Sequence, residues 1–409
     1  MYICAARTEN LKRMDIAIYT ITSGLHDAKS VAGLTDEFLR EIFPDGGFEF
    51  KGADFSDFGA NSLNLIYIRT GGAEGIFKEL LPGILSANTG KIYLLTSGKS
   101  NSLAASIEIL SYLRQQGIPG EILHGNGASL RARIKNLETV ARARKQLSGS
   151  RIAVIGKPSD WLIASAVDRA AVKDKLGVEF VDVPIEEVSE RFLDSGLSAS
   201  ARNDNGISDA MPGAMGIYEA LLKLKEKYEY SALTLRCFDL LTSLKNTGCL
   251  ALAKLNSEGV PASCEGDIPA LLSMMISRVL TGCTGFQANP SRIDTESGEI
   301  LFAHCTISLD IPRSITYDTH FESGIGVGIH GEFPEGPVTV FKVSGDLCRA
   351  FFAEGELLRN QYEDNLCRTQ IVVKLTPDEA RYFLTDPIGN HHIVIPGHHK
   401  TLLSEFLQE

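Results

Sequence analysis

What this 409-residue chain lacks narrows its class. No C-x-x-C pair occurs among its eight cysteines, which are irregularly spaced, so neither a zinc ribbon nor a disulfide scaffold is indicated. The thiols read as reduced, mostly buried side chains of a cytosolic protein. Tryptophan occurs once, and no low-complexity tract is present. No apolar run reaches the length of a membrane span, and Met1 to Arg13 carries charge without an apolar core behind it, so no secretory signal is expected. Positive charge is scarce: 40 Lys and Arg stand against 51 Asp and Glu, a formal net charge of −11 with no basic cluster, which argues against a nucleic-acid surface.

What is present is a soluble globular composition, 44% hydrophobic and 22% charged, in a chain long enough for two or three cores. Apolar β-branched runs alternate with amphipathic stretches. Strands are expected at 14–22, 62–69 and 91–97, with helices at 31–42, 74–83, 101–116 and 128–146. After Leu147-Ser-Gly-Ser-Arg151 the alternation restarts: strands at 151–156, 177–184 and 231–238, helices at 161–175 and 208–228. Beyond about residue 288 short strand-like runs follow one another with turn residues between them, the pattern of an antiparallel sheet or barrel. The fold expected is therefore α/β, with two doubly wound parallel-sheet domains over 1–150 and 151–288 and an antiparallel sheet or β-barrel domain over 289–409.

Two glycine motifs fail their structural context. Gly326-Val-Gly-Ile-His-Gly331 matches a dinucleotide fingerprint but leads into a strand rather than a helix. Gly98-Lys99-Ser100 lacks the upstream glycine of a phosphate loop. Neither supports a nucleotide cofactor.

The chemistry concentrates in three stretches. Pro261-Ala-Ser-Cys-Glu-Gly-Asp-Ile-Pro269 presents Glu265 at a strand end, then breaks at Gly266 and starts a helix, with Asp267 as N-cap and Pro269 in the first turn. Gly285-Phe-Gln-Ala-Asn-Pro290 and Gly389-Asn-His-His-Ile-Val-Ile-Pro-Gly-His-His399 are the others. Seven of the nine histidines fall between 304 and 399. His391 and His392 face opposite ways on an extended strand, so only one can serve a given site. His304 is a further candidate ligand or supporting imidazole. A carboxylate, an oxygen ligand and an imidazole suit a hard or borderline divalent ion such as Mn²⁺.

Taken in order, Arg69-Thr-Gly-Gly-Ala-Glu74, Asn101-Ser-Leu-Ala-Ala-Ser-Ile-Glu108, Cys237-Phe-Asp-Leu240, Cys264-Glu265-Gly-Asp267, His304-Cys305 and Asn390-His391-His392 resemble the signatures of the L-fucose isomerase and L-arabinose isomerase superfamily. The resemblance implies a flavodoxin-like first domain, a Rossmann-like second domain and a β-barrel third. It also implies metal-dependent aldose–ketose isomerisation through an enediol, acting on a pentose, a 6-deoxyhexose or a related sugar derivative, in a cytoplasmic homo-oligomer (trimer or hexamer). Glu265 matches the family's metal-binding and catalytic carboxylate, and His391 matches its ligand imidazole better than His392. The second carboxylate is an Asp at the position of Asn289, which can offer a carbonyl oxygen but cannot act as a base. An alternative is thus a sugar-binding or catalytically attenuated paralogue with weakened Mn²⁺ binding.

Overall fold

The computed structural model describes residues 15–87, 90–194 and 207–408. Met1 to Arg13 lies outside the described residues. The chain divides into two compact units. One comprises the segment up to Lys145 together with the C-terminal residues from Glu405; the other runs from Gln146 to Ser404.

The N-terminal unit is built on β1 (Ile16–Ile21), β2 (Glu49–Gly52), β3 (Leu63–Ile68), β4 (Ile92–Leu95) and β5 (Gly120–Leu123). They form one parallel sheet in the order β2-β1-β3-β4-β5. β1 is buried at every position because helices cover both faces, as its unbroken apolar run requires. Alternate residues feed two separate cores. Ile16, Ile18, Leu65 and Tyr67 pack on one face with Phe38 and Ile134; Ala17, Tyr19, Ile66 and Ile68 pack on the other with Phe77 and Ile109.

The second unit opens with a four-stranded parallel sheet. Its strands are β6 (Arg151–Ile155), β7 (Glu179–Val183), β8 (Ala232–Leu235) and β9 (Ala262–Cys264), in the order β7-β6-β8-β9. A closed barrel follows, made of β10 (Phe286–Asp294), β11 (Glu299–His304), β14 (Gly336–Val343), β15 (Ala350–Asn360), β16 (Thr369–Lys374) and β17 (His392–Pro396). Its order is β10-β11-β16-β15-β14-β17, every pairing antiparallel. The hairpin of β12 (Ser314–Asp318) and β13 (Gly328–Glu332) stands as a separate two-stranded sheet. The residues Gly326 to Gly331 thus lead into and through a strand, as the rejection of the dinucleotide motif supposed. The expected mixed α/β layout with a C-terminal antiparallel barrel is observed.

Sheet and barrel are joined by the helix Ile268–Thr281, buried along nearly its whole length. Its Ser273 hydroxyl accepts from the Val343 amide at 3.0 Å, and Gln287 Oε1 accepts from the Cys264 amide at 2.9 Å. These bonds fix the end of β9 against the barrel wall.

One local expectation fails. The helix expected over 161–175 is confined to Arg169–Leu176, and Trp161 lies in a run of turns before it. Asp168 is the reason: its carboxylate accepts from the Ala171 amide at 3.0 Å and caps the helix there. The preceding segment closes instead through Leu162 N–H to the Ser159 carbonyl, 2.9 Å.

Candidate metal centre

Glu265 sits at the carboxyl end of β9, where open parallel sheets present their reactive groups. Its backbone is left-handed at φ 65°, as is that of Gly266 at φ 73°. A non-glycine residue in this region costs about 1–3 kcal/mol and persists only where the surroundings enforce it. Here Ser159 N–H donates to the Glu265 carbonyl at 2.9 Å, and Gly266 N–H to the Leu235 carbonyl at 3.0 Å. Gly266 is obligatory, because a Cβ there would meet the Lys157 carbonyl oxygen at 2.6 Å and the Pro158 Cα at 2.7 Å.

The turn delivers a buried carboxylate to two imidazoles. Glu265 Oε1 lies 3.4 Å from His391 Nε2 and 3.7 Å from His304 Nε2. The two rings meet edge to face with centroids 5.4 Å apart. One ligand atom from each of Glu265, His304 and His391 lies within 4.8 Å of the others, and the three side chains are buried. The other Glu265 oxygen, Oε2, accepts from the Trp161 indole N–H at 2.6 Å.

His391 is oriented from behind. Its Nδ1 is 2.8 Å from Asp267 Oδ2, while Asp267 Oδ1 caps the helix by accepting from the Ala270 amide at 2.8 Å. Lys342 Nζ, also buried, lies 3.5 Å from the same Oδ2. The carboxylate therefore holds the imidazole with Nε2 facing Glu265, the arrangement that usually backs a metal-bound histidine.

The electrostatics follow from burial and pairing. Burial opposes the ionisation of Glu265, but His304 and His391 hold its carboxyl well below the ordinary range. Burial likewise works against Asp267, and Lys342 and His391 bring it to about 2. For His391 burial disfavours the cation, yet Asp267 and Glu265 raise it to about 9. Burial pulls His304 down, outweighing Glu265. Without a metal ion, a proton on His391 supplies the positive charge between the two carboxylates.

Among the described residues of this centre, His391 Nε2 and His304 Nδ1 are buried nitrogens without a hydrogen-bond partner. An unsatisfied buried polar atom is costly, and His391 Nε2, which faces Glu265 Oε1, is the one that a bound cation would satisfy. Two imidazoles and one carboxylate are a donor set suited to a divalent first-row ion. The residues present therefore fit such a cation.

Asn289 lies on β10 opposite Ala303, and its amide oxygen accepts from Asn390 Nδ2 at 3.0 Å, beside His391. His392 turns the other way. Its Nε2 is 3.1 Å from the Tyr382 hydroxyl, and its ring packs against Phe351, Tyr382 and Phe383 in the barrel core. Burial pushes its pKa down to about 3.

Asp267 as the orienting carboxylate and Trp161 as the partner of Glu265 were missed in the sequence. The N-cap signal at Asp267 is correct but accounts for one oxygen only. Trp161, followed by Leu-Ile-Ala, reads as the start of a helix face.

No family model matches the chain. It is similar to sulfoquinovose isomerases. The relatives from Priestia aryabhattai and Priestia megaterium (strain ATCC 12872 / QMB1551) are each 26% identical over 266 residues, covering 60% of this chain and 59% of theirs. One from Clostridium sp. (strain MSTE9) is 25% identical over 264 residues, covering 58% of this chain and 57% of its own. The match thus spans less than two thirds of those relatives' length.

Proposed function

We propose that this protein is an aldose–ketose isomerase whose Glu265, His304 and His391 hold a divalent cation, with Mn²⁺ as the first choice to test. The observation that carries this reading is the convergence of Glu265 Oε1 and the unpartnered His391 Nε2, with His391 turned by Asp267. The similarity to enzymes named sulfoquinovose isomerases supports the same reaction class and adds sulfonated aldoses to the pentoses and 6-deoxyhexoses expected from the sequence. The fold reading extends it: a flavodoxin-like first domain, a Rossmann-like second domain and the barrel, assembled as a homo-oligomer in the cytoplasm.

Aldose–ketose isomerisation moves a proton between C1 and C2 through an enediol. A cation bound at this centre would supply Lewis acidity at the sugar oxygens, stabilising negative charge that develops there. The protein's own groups do the rest. Asp267 keeps the His391 ring from rotating. The buried surroundings exclude water and strengthen each charge interaction. Glu265 turns Oε1 to the imidazole pair and accepts the Trp161 N–H on Oε2, and it is the carboxylate this reading assigns to the proton transfer between C1 and C2.

A second reading rests on Asn289. Its amide cannot move a proton, so a chain of this kind could bind a sugar without turning it over. A ketose assay with Mn²⁺ separates the two readings, using aldopentoses, 6-deoxyhexoses and sulfoquinovose. Isomerisation predicts ketose from at least one of them, lost in Glu265→Gln. Sugar binding without ketose from any member of the panel would favour the second reading.

A further inference from the structure

Trp161 is the only tryptophan in the chain, and about half of its surface, 51%, is exposed. A large aromatic side chain left this open gains little for folding, since burial is what stabilises it. Yet it is held on two sides. Its N–H edge donates to Glu265 Oε2, and its ring meets Phe238 edge to face with centroids 4.9 Å apart at 80°. Phe238 in turn meets His320 edge to face at 5.5 Å and 80°. Trp161 follows β6, Phe238 follows β8 and Glu265 follows β9, so three adjacent strands of one sheet supply neighbouring parts of one rim.

The combination is an ordered aromatic surface next to a carboxylate and two imidazoles. Sugars are recognised by that pairing: their C–H faces pack on aromatic rings while their hydroxyls bond to polar groups placed at the edge. We propose that Trp161 is the platform on which the substrate sugar stacks, and that its N–H also positions Glu265 by occupying Oε2 and leaving Oε1 toward His304 and His391. The proposal rests on the isomerase reading for the identity of the reaction, but it stands or falls on sugar contact.

Because no other tryptophan is present, emission excited at the red edge, where the 11 tyrosines do not absorb, reports Trp161 alone. The test titrates sulfoquinovose, and separately L-arabinose, into the Mn²⁺-loaded protein while following that emission. Kinetics of Trp161→Phe, which keeps a ring but loses the N–H, and of Trp161→Leu, which loses both, are measured beside it. The expected result is a saturable emission change with at least one sugar. Trp161→Phe should keep KM within about threefold and lose about tenfold or more in kcat, whereas Trp161→Leu should also raise KM by about tenfold. Circular dichroism and a melting curve on both variants check folding. If the wild type makes no ketose but the sugar still shifts the emission and binds more weakly to Trp161→Leu by calorimetry, the platform stands and the isomerase reading fails. If ketose forms with no emission change and Trp161→Leu keeps the wild-type KM, the platform is overturned and the isomerase reading stands. Absence of both ketose and emission change also overturns the platform.

Discussion

Asp267 serves two masters, capping a helix with one oxygen and orienting His391 with the other. Replacing it with Asn keeps a capping oxygen but weakens the hold on the imidazole. Asp267→Asn should therefore lose about 10–100-fold in Mn²⁺ affinity, measured by calorimetry, because supporting partners of metal ligands are typically worth that much. Loss of the melting temperature without any change in affinity would assign Asp267 to folding alone. Asn289 differs in kind, since its amide oxygen is already engaged by Asn390. Asn289→Ala should change Mn²⁺ affinity by less than about tenfold, and His304→Ala by more, on the scale of losing a direct donor rather than a supporting one. The reverse order would support the ligand role that the family resemblance implies for Asn289. His392 gives a pH prediction. Burial lowers its pKa to about 3, below the ordinary value of about 6.5. Above the ordinary value both folded and unfolded states are neutral there and nothing is lost. Below it the unfolded chain takes a proton that the folded core refuses, so stability falls as pH drops, by up to about 1.4 kcal/mol per unit. Denaturant midpoints between pH 7.5 and 5 should fall less steeply in His392→Leu than in the wild type.

At the scale of elements, the turn after β9 holds the centre in shape. Gly266→Ala adds a Cβ that meets the backbone of Lys157 and Pro158, in a left-handed conformation that disfavours any side chain. It should destabilise the protein by about 2 kcal/mol or more, read as a lower melting temperature, and displace the segment that carries Trp161. An unchanged melting temperature would mean that the turn relaxes freely. This turn was legible in the sequence, because Glu-Gly-Asp followed by a proline in the first helical turn spells a strand end, a reversal and a cap. The opposite facing of His391 and His392 was legible too, from strand parity. Trp161 was not, since Trp-Leu-Ile-Ala-Ser-Ala-Val has helical spacing, and only the Asp168 cap shows that the helix begins later. Nor could local pattern reveal that β17 pairs with β10, setting His392 opposite Ala288 across more than a hundred residues of chain.

For the molecule as a whole, the alternation of apolar runs and helical stretches made the parallel sheets readable, and the loss of long helices after residue 288 made an antiparallel sheet or barrel readable, the choice of barrel resting on the family resemblance. Strands that are only partly buried, such as β2 with its Glu49 and Lys51, gave no comparable signal. The central claim joins the barrel histidines and the sheet-borne carboxylate into one cation-dependent catalyst. Its most direct test is ketose formation from sulfoquinovose and the unsulfonated aldoses by protein stripped with a chelator, assayed before and after Mn²⁺ is restored. The account predicts negligible ketose from the stripped protein, recovery on adding Mn²⁺, and no recovery in Glu265→Gln. Full activity in the stripped protein, or full recovery in Glu265→Gln, would contradict it.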